Sequence, residues 1–151
     1  LVGLVPESFE SYQIVQNNDI IIRCTDLQND QKSLRIGLSS YRGIITSAYL
    51  NFTVLKDLPK YIFYFLYILD ITKEIYKLGS GLRQGLNFTD FKKMLIIVPP
   101  IQEQEQIVAY LDEVTGKIDQ AITQKQEQIT KLKEYKQSLI NDVVTGKVKV
   151  C

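Results

Sequence analysis

The residues best equipped for recognition chemistry cluster in Gly79-Ser80-Gly81-Leu82-Arg83-Gln84-Gly85. Glycines let backbone N–H groups come close to a phosphate, and the Ser80 hydroxyl can donate to one. The guanidinium fork of Arg83 and the amide of Gln84 match the edges of guanine and adenine. Between Lys73 and Lys93 the cations Lys73, Lys77, Arg83, Lys92 and Lys93 outnumber Glu74 and Asp90, whereas the whole chain carries only +1. Lys77 therefore joins Ser80 as a candidate phosphate contact. A second polar stretch, Thr25 to Arg35, offers Gln28, Asn29, Lys32, Ser33 and Arg35, with Tyr41 and Arg42 shortly after. The same residues also read as a glycine-bounded surface loop and ordinary solvated turns, and residue types alone leave both open.

Chemistry of the catalytic kind is harder to assemble. The chain has no histidine, which removes Ser-His-Asp and Cys-His nucleophile systems and the commonest metal ligand. It has no G-x-x-x-x-G-K-[ST] phosphate loop. The glycine cluster at 79–85 is no dinucleotide fingerprint, because it follows a helical segment and opens none within a βαβ unit. Asp112 and Glu113 fall on the solvated side of a helix and read as surface charge. Cys24 and Cys151 form no disulfide framework, so a reduced, cytoplasmic setting is expected. These absences point away from an enzyme, with no cofactor or metal expected in this chain. The even balance of 18 cations and 17 anions also lacks the strong basic excess that usually marks a non-specific nucleic-acid binder, so any DNA contact is expected from a local patch or a partner's charge.

The elements that must hold these residues divide the 151-residue chain in two. Residues 1–99 read as a small mixed α/β domain. Asp19 to Cys24 is a short buried strand after the turn pair Asn17-Asn18, and Thr25 to Arg35 is a loop or hairpin. Gly43 to Val54 is β-prone. A helix starts at Asp57-Leu58-Pro59-Lys60, places Ile62, Phe65, Leu66, Leu69, Ile75 and Leu78 on one face, and ends at Gly79. The aromatic run Tyr61 to Tyr67 belongs to this apolar face rather than to a base-stacking platform. Met94 to Val98 is expected to be a last strand, closed by Pro99-Pro100. The run Tyr61 to Leu69 is about half of what a bilayer span requires, so no membrane segment is expected. The chain opens on Leu1-Val2-Gly3-Leu4-Val5 with no initiator Met and no signal-peptide pattern, as a fragment or trimmed chain would.

Residues 100–151 differ in kind. From Pro100 to Thr145 there is no further proline and a single glycine, Gly116. Ile107, Leu111, Val114, Ile118, Ile122, Ile129, Leu132, Leu139 and Val143 form a stripe at spacings of three and four, the seam of one long helix. Lys125 and Lys136 complete the stripe with their aliphatic stems. Gly146 marks the stop. At 1.5 Å per residue such a helix is on the order of 60 Å long, too long to cover its stripe against a domain of a hundred residues. Its partner is expected to be another long helix. The alternative is two shorter helices broken at Thr115-Gly116. The overall expectation is an α+β chain: a small mixed domain followed by a long C-terminal coiled-coil helix.

Ordered motifs give this architecture a family likeness. Pro99-Pro100-Ile101-Gln102-Glu103-Gln104-Glu105-Gln106-Ile107-Val108-Ala109-Tyr110-Leu111-Asp112 resembles the PP-x-x-EQ-x-x-IV-x-(F/Y)-LD signature of type I restriction–modification specificity subunits. Lys117 to Ile122, Lys133 to Ile140 and Val144 to Val148 continue the pattern. Thr25 to Arg35, Arg42 to Tyr49 and Gly79 to Gln84 resemble a target recognition domain of that family. The resemblance implies a non-catalytic subunit that reads double-stranded DNA. In that family two recognition domains are spaced by two antiparallel helices. Methylation subunits carrying S-adenosylmethionine dock on the helices, and a restriction/translocase subunit adds cleavage. One recognition domain and one helix amount to half of that arrangement, so a homodimer through the helix is expected. The other reading is an interaction module that docks on methylation or full specificity subunits without itself reading DNA.

Overall fold

The computed structural model describes residues 8–25, 32–75 and 88–150. In chain order the elements are β1 (Gln13–Val15), β2 (Ile20–Arg23), β3 (Ile36–Leu38), β4 (Gly43–Ile45), β5 (Tyr49–Phe52), α1 (Pro59–Ile71), α2 (Phe88–Phe91) and α3 (Ile101–Val144). They fall into two compact units, Leu1–Val108 and Ala109–Cys151. This is the expected α+β class with a long C-terminal helix.

In the first unit β2 is the centre of a three-stranded antiparallel sheet of order β3-β2-β5, while β1 pairs with β4 in a separate two-stranded sheet. Alternation along β2 explains its place. Ile20 and Ile22 are fully buried and Ile21 between them is not, the period-2 pattern of a strand with one face in a core. Ile22 stands opposite Ile36 on one side and Leu50 on the other. Helix α1 covers this face with Tyr61, Ile62 and Leu66, and Ile75 joins them. Each fully buried Ile or Leu contributes roughly 1.5–3 kcal/mol relative to exposure. Helix α2 adds Phe91, whose ring lies 5.6 Å from that of Phe52.

Polar side chains join the two sheets. The Gln13 amide donates to the Tyr49 carbonyl at 2.8 Å, and the Asn51 amide donates to Ile14 O at 3.0 Å. Asp19, just before β2, is buried and accepts from Thr53 Oγ1 at 2.6 Å, Gln16 N at 2.7 Å and Asn51 Nδ2 at 3.3 Å. Asn18 takes a positive φ of 68° at the turn leading into it, a conformation that Asn tolerates better than most residues.

One expectation is refined and two are revised. The β-prone stretch from Gly43 is two strands in different sheets, because the chain turns at Ser47-Ala48 and Tyr49 N donates back to Thr46 O. Helix α1 starts where Pro59 dictates but ends at Ile71 rather than Leu78. The Thr72 hydroxyl bonds back to Ile68 O, and Lys73 enters the left-handed region at φ 65°, which no right-handed helix can continue; the expected stop at Gly79 lies outside the described residues. The segment Met94–Val98 is no strand. A β-branched run becomes a strand only where a neighbour offers a ladder. Leu95 is 93% and Ile97 75% exposed, and the Ile97 carbonyl instead accepts from the Tyr61 hydroxyl at 2.9 Å.

Helix α3 is a single 44-residue helix. Gly116 lies inside it, so the broken alternative does not hold; one interior glycine costs only ~1 kcal/mol. The helix begins one residue after Pro100, whose carbonyl accepts from Glu103 N and Gln104 N. It ends at Val144, and Gly146, with a φ of 76° and its N–H bonded to Val143 O, stops it, with Val148 N bonded to Asp142 O. The seam positions Ile118, Ile122, Lys125, Ile129, Leu132, Lys136, Leu139 and Val143 alternate spacings of four and three, a strict heptad seam. Upstream, Val114, Ile118 and Ile122 are spaced four and four. That is one stutter, which locally unwinds a supercoil.

Candidate nucleic-acid interface

Of the residues singled out for DNA, Lys77, Ser80, Arg83, Gln84, Gln28 and Asn29 lie outside the described residues. The others are placed at opposite ends of β3. Lys32, Ser33 and Arg35 precede it; Tyr41 and Arg42 follow it. A three-residue strand separates the two groups by about 10 Å, so they form two patches rather than one.

At the first end Lys32 and Ser33 are exposed but Arg35 is buried. Its guanidinium donates to Thr25 O at 2.6 Å and Arg23 O at 3.3 Å, and its backbone N–H donates to Asp70 Oδ2 at 2.6 Å. Arg35 thus ties the end of β2 and the start of the polar segment to helix α1. Its effect on any surface contact runs through the placement of its neighbours. Cys24 sits beside this cluster, and burial pushes its thiol above the ordinary value despite Arg35 nearby. It is therefore a protonated, half-buried thiol, not a nucleophile.

At the second end Tyr41 is 81% exposed and Arg42 is exposed. The Ser39 hydroxyl bridges this turn, donating to Tyr41 O at 2.7 Å and accepting from Tyr41 N at 3.3 Å. Tyr41, Arg42, Val15, Ile21 and Ile44 line a shallow recess of about 180 Å³. An exposed aromatic beside an exposed guanidinium, on a turn held by a hydroxyl, suits phosphate or base-edge contact.

The helix-pairing residues divide by unit. Ile107 packs on the core of the first unit beside the buried Val108. Leu111, Val114 and Val143 are half-buried, and Ile118, Ile122, Ile129, Leu132 and Leu139 are exposed. No helix residue from Ala109 onward is buried. An apolar seam left open over so many turns is a surface that water disfavours and a second helix would cover.

One residue that sequence patterning passed over is Gln104. It is 1% exposed and makes three hydrogen bonds: Oε1 accepts from Leu58 N at 2.9 Å, and Nε2 donates to Asp57 Oδ1 at 2.9 Å and to Pro99 O at 2.8 Å. Its place in the Glu103-Gln104 pair of the signature was the one available signal.

Among the described residues no His, Cys, Asp and Glu group could hold a metal ion, and no helix is long and apolar enough to cross a membrane. The family model for the type I restriction modification DNA specificity domain matches residues 4–131, which takes in all but the first three residues of the first unit and most of α3. No curated protein matches the chain.

Proposed function

The chain belongs to the type I restriction–modification DNA specificity domain family, and we propose that it is a non-catalytic half of a specificity subunit, completed by a second copy of itself. The observation that carries this reading is the open heptad seam of α3, Ile118 to Val143. Charge favours an antiparallel pair. From Ile101 to Asp119 five acids accompany one lysine, whereas from Gln120 to Lys149 six lysines accompany three acids. An antiparallel partner sets the acidic half against the basic half. A parallel one would set like against like. Two-fold symmetry then presents two identical recognition domains to a palindromic split site.

In this reading Arg83 and Gln84 read base edges and Ser80 and Lys77 hold phosphate, while Tyr41, Arg42, Lys32 and Ser33 supply further contacts. Methylation subunits bring S-adenosylmethionine and a restriction/translocase subunit brings cleavage; this chain supplies the address. Mapping methylated bases in cells that carry the chain with its methylation subunits tests the reading. A symmetric bipartite motif of fixed spacing is expected, and an asymmetric motif or none overturns it. A second reading, favoured by the net charge of only +1, is a docking module that binds DNA only when the methylation subunit supplies phosphate contacts.

A further inference from the structure

We propose that Gln104 is the positioning residue that fixes the first two turns of the spacer helix against the recognition domain, and so sets the one half-site spacing the dimer accepts. The inference rests on the dimeric, split-site reading and concerns how narrow its spacing is.

The first two turns of α3 lie within the first unit. Val108 and Ile107 supply apolar contact one turn on, and contact of that kind lets a helix roll or slide at little cost. Gln104 supplies direction. Its amide spends both N–H donors and its oxygen on three groups from two places: Asp57 and Leu58 at the start of α1, and Pro99 in the connection before α3. Leu58 is the N-cap residue of α1, which has no side-chain capping bond of its own. One side chain thereby orients two helix starts. Only an amide meets this donor and acceptor set. A carboxylate in its place would face Asp57 and the Pro99 carbonyl with no proton to offer, and an alanine would leave the Leu58 N–H and the Pro99 carbonyl without it.

The consequence grows with the length of the helix. From Gln104 to Val144 is 40 residues, or about 60 Å at 1.5 Å each, so a 10° change at the clamp displaces the far end by roughly 10 Å. That is about three base pairs at ~3.4 Å per pair. A loosened clamp leaves base contacts intact but lets the dimer accept neighbouring spacings.

The test uses the assembled methyltransferase and a plasmid library in which the mapped half-sites are separated by every spacing around the native one. For the native chain, moving one base pair off the optimum should lower methylation about tenfold or more, equivalent to ~1.4 kcal/mol. Gln104→Ala and Gln104→Glu should bring adjacent spacings within about threefold of each other, with half-site sequence preference unchanged. Adding Asp57→Asn to Gln104→Glu restores one donor–acceptor pair in reverse and should recover part of the narrow optimum. If Gln104→Ala fails to accumulate, Asp57→Ala, which removes one bond of three, is judged by the same criterion. A narrow optimum kept in the variants, or a uniform loss at every spacing, overturns the inference while leaving the dimer intact. A native chain indifferent to spacing condemns the split-site reading itself, and the inference with it.

Discussion

The Thr53 hydroxyl donates to the buried Asp19 carboxylate at 2.6 Å, joining the residue after β5 to the residue before β2. Burial, the largest single influence, pushes the Asp19 carboxyl up. The bonds from Thr53, Gln16 and Asn51 together outweigh it and leave it below its ordinary 3.8. A carboxyl lowered in the folded state stabilises the fold above its unfolded value, and that stability is lost as pH falls through the folded one. Unfolding stability should therefore drop as pH goes below about 3.8. Asp19→Asn should flatten this acid limb, measured by denaturant melts at a series of pH values. Asp19→Ala, which leaves the Thr53 hydroxyl and the Gln16 N–H without their acceptor, should cost about 1–3 kcal/mol at neutral pH.

Lys125 and Lys136 interrupt an otherwise aliphatic seam. Replacing both with Ile should raise the melting temperature of the dimer while weakening its orientation, because a seam without polar positions no longer penalises wrong partners. Disulfide trapping with single cysteines at the two ends of α3 distinguishes the orientations. The native seam should cross-link end to opposite end only, and the double variant in both ways.

Arg83→Ala should cost ~1–3 kcal/mol of specific binding and relax the motif at one position, if the guanidinium reads a base edge. Lys77→Ala should weaken binding about equally on all sequences and reduce its salt dependence. Methylated-base mapping separates the two, and an unchanged motif with Arg83→Ala removes that residue from the reading set.

The elements read well from sequence are those whose signal is local. The stripe from Ile107 to Val143 and the stop at Gly146 specify α3 through neighbours three and four residues apart. Pro59 does the same for the start of α1. Strands β1 and β3 have three residues each, too few for a period, and owe their existence to distant partners. Met94–Val98 shows the converse, a strand-like composition that pairs with no strand among the described residues. The roles of Asp19 and Asn51 were illegible, and that of Gln104 was marked only by its place in the signature, because a polar residue acquires such a role only when residues more than thirty positions away arrive beside it. Arg35 illustrates the limit of residue type, since a guanidinium suited to DNA is also suited to holding carbonyls in a core.

The central claim, that a second copy covers the α3 seam, is tested most directly by sedimentation equilibrium of the native chain at tens of micromolar, alongside Ile122→Asp/Leu132→Asp. The account predicts a native mass of twice 17.4 kDa, and a folded monomer for the variant, whose carboxylates would be buried in the pairing seam. A native chain that sediments as a clean monomer over that range would contradict it.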